Sequence, residues 1–164
     1  MKFGGMVATR IDEWEIFQFL EKLGYSSGWV PDSQMIWSDC YATLSLAAWH
    51  TSRIRLGTGV AIAGTRLAPV TAHSIASINK IAPGRVFLGI GTGHTAMRIM
   101  GQDPVSPTYF REYLRVVRGL LAGNEVEYGV EDERRPIRFL DRELGCIDIE
   151  HRVPIYVAAN GPRA

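Results

Sequence analysis

Four short clusters of small and polar residues carry the chemistry this sequence can offer. Pro31-Asp32-Ser33-Gln34, Gly57-Thr58-Gly59-Val60, Gly91-Thr92-Gly93-His94 and Asn160-Gly161 each follow an apolar run. Asp32 is a candidate base or ring contact, and capping the following turn explains it comparably. His94 can donate to an anionic ring or shuttle a proton, or it serves only to order its turn. Glycines in two of the clusters would let a flat or phosphorylated ligand approach the backbone; each is also what a tight turn requires. Residues 91–96 further fit G-x-G-x-x-A, a dinucleotide-binding pattern. Its acidic partner would be Glu112, which stands at the right distance but inside a predicted helix rather than at a strand end.

Other chemistries find no support. Ser33 lies in no G-x-S-x-G elbow, and neither Cys40 nor Cys146 has a histidine nearby in sequence. The two cysteines form no C-x-x-C pair, and H-E-x-x-H is absent, so a disulfide framework, zinc chemistry and covalent hydrolysis all drop out. With 18 basic against 17 acidic residues, the 164-residue chain has a formal charge of +1 and no basic stripe, which argues against nucleic acid. No apolar run reaches the roughly 18 residues of a membrane helix, and the start lacks a signal-peptide core. A cytoplasmic location is expected. What remains is a site for an organic cofactor that brings its own chemistry.

The elements that must position these clusters form a repeated unit. Apolar strands are predicted over residues 3–8, 28–30, 53–62, 85–90 and 154–159. Between them lie helical patterns. The first starts near Glu13, with Asp12 as cap and Glu15 as its partner, and stops at Gly24. The second spans 40–50 after Ser38 or Asp39. The third follows Pro69 over 70–81 and is stopped by Pro83-Gly84, and the fourth runs from Ser106-Pro107 to Gly123. Residues 124–152 break the rhythm with mixed charges and read as a solvated hairpin or loop. Alternating strands and helices imply an α/β fold with a parallel sheet and right-handed crossovers, which gathers the carboxyl ends of the strands on one face. All four clusters lie there.

In series, the segments Pro31-Asp32-Ser33-Gln34, 51–60, Thr65-Arg66 with Pro69, 84–93, 118–123 and 154–162 resemble the bacterial luciferase-like monooxygenase superfamily. They look closest to its deazaflavin-dependent, methylenetetrahydromethanopterin reductase-like branch. The resemblance implies a (β/α)8 TIM barrel that binds FMN or a deazaflavin coenzyme of the 8-hydroxy-5-deazaflavin type at the carboxyl ends of its strands. It also implies hydride transfer, or monooxygenation with reduced FMN, on a small organic substrate. A non-proline cis peptide or a bulge would back the ring system, and the matching bond is Gly59–Val60. Implied cofactor contacts are Gly59, Val60, Ala61, Thr92, Gly93, Asn160 and Gly161, with Asp32, Ser33 and His94 as the catalytic set. Some deazaflavin dehydrogenases of the family carry His where this chain has Ser33 and Glu where it has His94. Those departures argue against sugar-phosphate dehydrogenase chemistry.

A complete barrel of this kind needs about 250 residues. The chain therefore corresponds to a single partial barrel of about five strands and four helices. An isolated half barrel would leave edge strands open, so a second copy or a complementary half is the expected partner. The alternative is a half barrel without catalysis that serves as an assembly subunit.

Overall fold

The computed structural model describes residues 1–8, 10–129, 133–140 and 142–159. In chain order the elements are β1 (Gly4–Met6), α1 (Glu15–Lys22), β2 (Ser27–Val30), α2 (Cys40–His50), β3 (Arg55–Thr58), β4 (Ala61–Ile62), α3 (Ala68–Ile81), β5 (Val86–Gly91), α4 (His94–Ile99), α5 (Pro107–Leu121), β6 (Val126–Tyr128), β7 (Arg135–Ile137) and β8 (Ile155–Val157). Every pairing in the main sheet is parallel. Strand β1 pairs with β2, β2 with β3, β3 and β4 both with β5, and β5 with β8. Counting β3 and β4 as one interrupted strand gives five consecutive barrel positions.

The run 53–62 was expected as one strand, and it breaks. Strand β3 meets the start of β5 at Leu56↔Val86 and Gly57↔Phe87, whereas β4 meets its end at Ala61↔Ile90 and Ile62↔Gly91. The Gly59–Val60 peptide between them is cis. Across the gap the Thr58 hydroxyl donates to the Gly89 carbonyl.

The helices form largely where their end signals stand. Asp39 Oδ1 accepts from Ala42 N at 2.9 Å to start α2, and Ser106 Oγ accepts from Tyr109 N at 3.2 Å to start α5. Pro69 and Pro107 occupy first turns, where an amide would be unpaired in any case. The expected Asp12 cap is replaced. A 3-10 turn at Ile11–Glu13 leads into α1, whose N-cap is Trp14, and no side chain caps it. Packing sets that entry instead, since the Trp14 ring stacks on His50 with centroids 3.8 Å apart. Residues 124–152 hold the antiparallel pair β6 and β7, joined at Val126↔Ile137 and Tyr128↔Arg135, then a 3-10 turn at Arg142–Leu144.

One core lies between the sheet and its helices, with Phe17, Leu44, Leu56, Ile75, Leu88, Ile90 and Val116 all essentially inaccessible. Each such side chain contributes about 1.5–3 kcal/mol by leaving water. Two charged groups fasten the amino-terminal ends of the strands. Glu21 on α1 accepts from the amides of Ser52, Arg53 and Ile54, and the Arg85 guanidinium reaches the carbonyls of Ala48, Thr51 and Ile54 and the Thr51 hydroxyl. The opposite face of the sheet, the barrel lumen, carries Trp29, Phe87 and Tyr156 in mutual ring contact. No helix of the described residues is long and apolar enough to cross a membrane.

Candidate functional site

At the carboxyl ends of the strands lies an open cavity of about 930 Å³. Asp32 and Ser33 reach it from the loop after β2, Gly59 and Val60 from the break after β3, and Thr92, Gly93 and His94 from the turn after β5; Ala158 follows β8. Seven of the residues singled out in the sequence are thus brought together. Ala61 is separate: its side chain is 1% exposed and packs in the core, while its neighbours Val60 and Ile62 line the cavity. Asn160 and Gly161 lie outside the described residues.

The cavity floor follows from what the lumen-facing positions of β5 lack. A Cβ on Gly89 would stand 2.3 Å from the Thr58 carbonyl oxygen and 3.2 Å from Val60 Cγ1. Only glycine lets the Val60 side chain and the strand break lie this close to β5. Gly93 has φ +88°, and a Cβ there would come within 2.4 Å of Ile62 Cγ2. It turns the chain into α4, and His94 begins that helix with its side chain exposed at the cavity.

Asp32 is 5% exposed, and its hydrogen bonds define the inner wall. Oδ1 accepts from Gln34 Nε2 at 2.6 Å, and Oδ2 accepts from Ile62 N at 3.3 Å. It does not cap the next turn, as one reading of the sequence had it; it closes the backbone of β4 across the site. Burial pushes its carboxyl above the usual carboxylate range, only partly offset by the Ile62 amide, the Cys40 thiol and the charge of Arg66. Arg66 itself is committed to Asp39, at 2.7 Å, and to the Tyr41 ring. The result is a half-enclosed cavity with an apolar floor, a buried carboxyl at one wall and a hydroxyl and an imidazole at the rim.

Helix α4 and the segment after it escaped the sequence reading. Arg98, Asp103 and Val105 line the same cavity, and Val105 N donates to Thr92 O at 3.2 Å. Six helical residues are too few for a periodic signal; the paired glycines Gly93 and Gly101, both with positive φ, were the available clue. Among the described residues no group of three or more His, Cys, Asp or Glu side chains is placed to hold a metal ion.

The family model described as luciferase-like monooxygenase matches residues 4–164. The chain belongs to this family. A curated member, the 5,10-methylenetetrahydromethanopterin reductase of Methanolobus tindarius, is 36% identical over 147 residues, covering 87% of this chain and 42% of the reductase. Among solved members of the luciferase-like fold, the coenzyme F420 dependent tetrahydromethanopterin reductase of Methanopyrus kandleri superposes with a TM-score of 0.76 at 26% identity, over 98% of this chain and 51% of that one. The oxygenating constituent of 3,6-diketocamphane monooxygenase from Pseudomonas putida, a type II Baeyer-Villiger monooxygenase solved with FMN, gives 0.76 at 18% identity, over 99% and 53%. That likeness concerns the fold. The chain spans about half the length of the luciferase-like relatives it matches, so its βα units make a partial barrel.

Proposed function

We propose that this chain forms the cofactor-facing part of a flavin- or deazaflavin-dependent oxidoreductase acting on a small organic substrate. The observation that carries the proposal is the convergence of Asp32, Ser33, Val60, Thr92, Gly93 and His94 on one cavity. The cavity fits such a group. Its floor at Gly91 is bare backbone, where a Cβ would press to 3.3 Å on both Val60 and Ala158, so a flat ring system meets a smooth apolar surface with polar groups only at its edge.

Such a cofactor supplies hydride transfer, and in the reduced FMN case oxygen activation as well. The protein's own residues supply orientation, exclusion of water and proton handling. Gly59 and Val60, which line the cavity, would lie against such a ring, with Ala61 contributing backbone alone. Thr92 and Gly93 would hold its rim; the other expected contacts, Asn160 and Gly161, lie outside the described residues. Asp32 holds or takes up a proton at a carboxyl oxygen shielded from water, Ser33 hydrogen-bonds at the rim, and His94 exchanges protons with solvent. Of the two cofactors, the deazaflavin is favoured, because the F420 dependent structure is nearer in sequence than the FMN complex.

The sheet has two open edges, since β1 pairs only with β2 and β8 only with β5 among the described residues. Met6 at one edge and Val157 at the other are 66% and 44% exposed. This supports completion of the barrel by a complementary set of βα units, with pairing of two copies as the competing outcome.

The test is a parallel titration of the purified chain with FMN and with the deazaflavin coenzyme, followed by fluorescence and by sedimentation. Saturable binding of the deazaflavin is expected. Failure of a well-folded chain to bind either, alone and with its complementary half, would remove the cofactor reading.

A further inference from the structure

We infer that Gln34 is a positioning residue for Asp32, its side-chain amide turning with the carboxyl's protonation state: Nε2 donates to the charged form, and Oε1 accepts from the protonated one. The role of this pair in the reaction rests on the cofactor reading above; the coupling between the two side chains does not.

Two geometric observations point to the pair. The contact from Gln34 Nε2 to Asp32 Oδ1 is 2.6 Å, shorter than an ordinary amide N–H···O bond and typical of an O–H···O bond. In this orientation Gln34 Oε1 is buried and has no hydrogen-bond partner among the described residues. An amide presents donor and acceptor on nearly identical arms, so a half-turn about its last bond exchanges them. The arm now idle is the one a protonated Asp32 would use.

The surroundings give Asp32 reason to take that proton. The groups facing it are Asp39, Cys40 and Tyr41 at the start of α2, and Arg66 from the segment after β4. Arg66 bonds Asp39 Oδ2 and lies over the Tyr41 ring, so it makes no ion pair with Asp32 and its remaining pull is countered by the charge of Asp39. Asp32 is left with an amide, a backbone N–H and a thiol, all neutral, in a position 5% exposed. A carboxyl so placed is stable in either state only beside a partner able both to donate and to accept. Glutamine is one, methionine is neither, and glutamate would add a second charge.

The test follows the Asp32 side-chain carboxyl carbon by NMR against pH in cofactor-free protein labelled at aspartate, with the signal assigned by Asp32→Asn. Wild type should show one step above the ordinary carboxylate range. Gln34→Met removes both the donor to the charged form and the acceptor for the protonated one, and because a bond to a charged group is the stronger, the midpoint should still rise, by about one pH unit. Gln34→Glu puts a second carboxyl on the first, and the titration should split into two steps. A wild-type midpoint in the ordinary carboxylate range, or an unmoved one in Gln34→Met, would overturn the inference. If Gln34→Met does not fold, a single unsplit step in Gln34→Glu overturns it by itself. Coenzyme binding is measured on separate samples, so loss of the cofactor reading and loss of this coupling are told apart.

Discussion

The Thr58 hydroxyl donates to the Gly89 carbonyl oxygen at 2.6 Å, at the point where the third barrel position breaks between β3 and β4. Both partners are buried, and the hydroxyl adds a side-chain bond where the strand is interrupted. Thr58→Val keeps the shape and removes the donor. It should destabilise the chain by about 0.5–1.5 kcal/mol, the net contribution of one buried hydrogen bond. Denaturant unfolding would show it as a lower midpoint with an unchanged slope.

Gly89→Ala tests the same junction from the other strand. The new Cβ would stand 2.3 Å from the Thr58 carbonyl oxygen, and that oxygen belongs to backbone with no rotamer to retreat into. A loss of about 1–3 kcal/mol is expected from the forced separation. Because Val60 must shift with it, binding of the deazaflavin coenzyme should weaken at least about tenfold, a difference of about 1.4 kcal/mol. Thr58→Val, which adds no atom, should bind nearly as wild type does.

Glu21 gives a pH dependence of known sign. Burial raises its pKa, but the backbone amides of Ile54, Arg53 and Ser52, with the Ser52 hydroxyl, outweigh it, and the net displacement is downward. A carboxylate with a depressed folded-state pKa stabilises above its unfolded value and loses that contribution as pH falls through the folded one. Glu21→Gln should therefore be less stable than wild type at neutral pH, by about 0.5–1 kcal/mol once the screening of a partly exposed carboxylate is counted. The gap should close as pH drops below the ordinary glutamate value of about 4.3. Thermal melts of both proteins across that range would check it.

Arg85→Lys is not a conservative change here. The guanidinium satisfies Thr51 Oγ1 and the carbonyls of Ala48, Thr51 and Ile54 at 2.9–3.1 Å. An ammonium cannot span that fork, and at least one carbonyl loses its partner. A drop of about 1–3 kcal/mol is expected, accompanied by faster amide exchange around residues 51–54.

Much of this architecture is written locally. Asp39, Pro69, Ser106 and Pro107 act on amides within one helical turn of themselves, so the helices they start could be placed from sequence. Asp12 failed as a cap because the stacking of Trp14 on His50, thirty-six residues away in the chain, governs that entry. In the residues themselves the strand break was illegible, because 56–62 form one unbroken run of small and apolar residues and the reason for interrupting it lies on β5; the family resemblance alone pointed to a cis peptide or bulge at Gly59–Val60, and the bond is cis. Arg85 went unnoticed for the same reason, its partners standing 31 to 37 positions away. The cluster residues were legible because parallel strands deliver their following turns to one place. The Ala61 side chain turns to the core because the break reverses the alternation of inner and outer faces beyond Val60.

The cavity draws Asp32 from the loop after β2, Val60 from the break between β3 and β4, His94 from the start of α4 and Ala158 from the end of β8, each anchored by its own strand. In evolutionary terms such a site is modular. A connection can lengthen, shorten or exchange its residues while the strands beneath keep their register, so selection can try new substrates one loop at a time. The exception is the loop that carries Asp32, whose carboxyl is tied to Ile62 across the strand break. There two connections must change in concert, and lineages that alter one should carry a compensating change in the other.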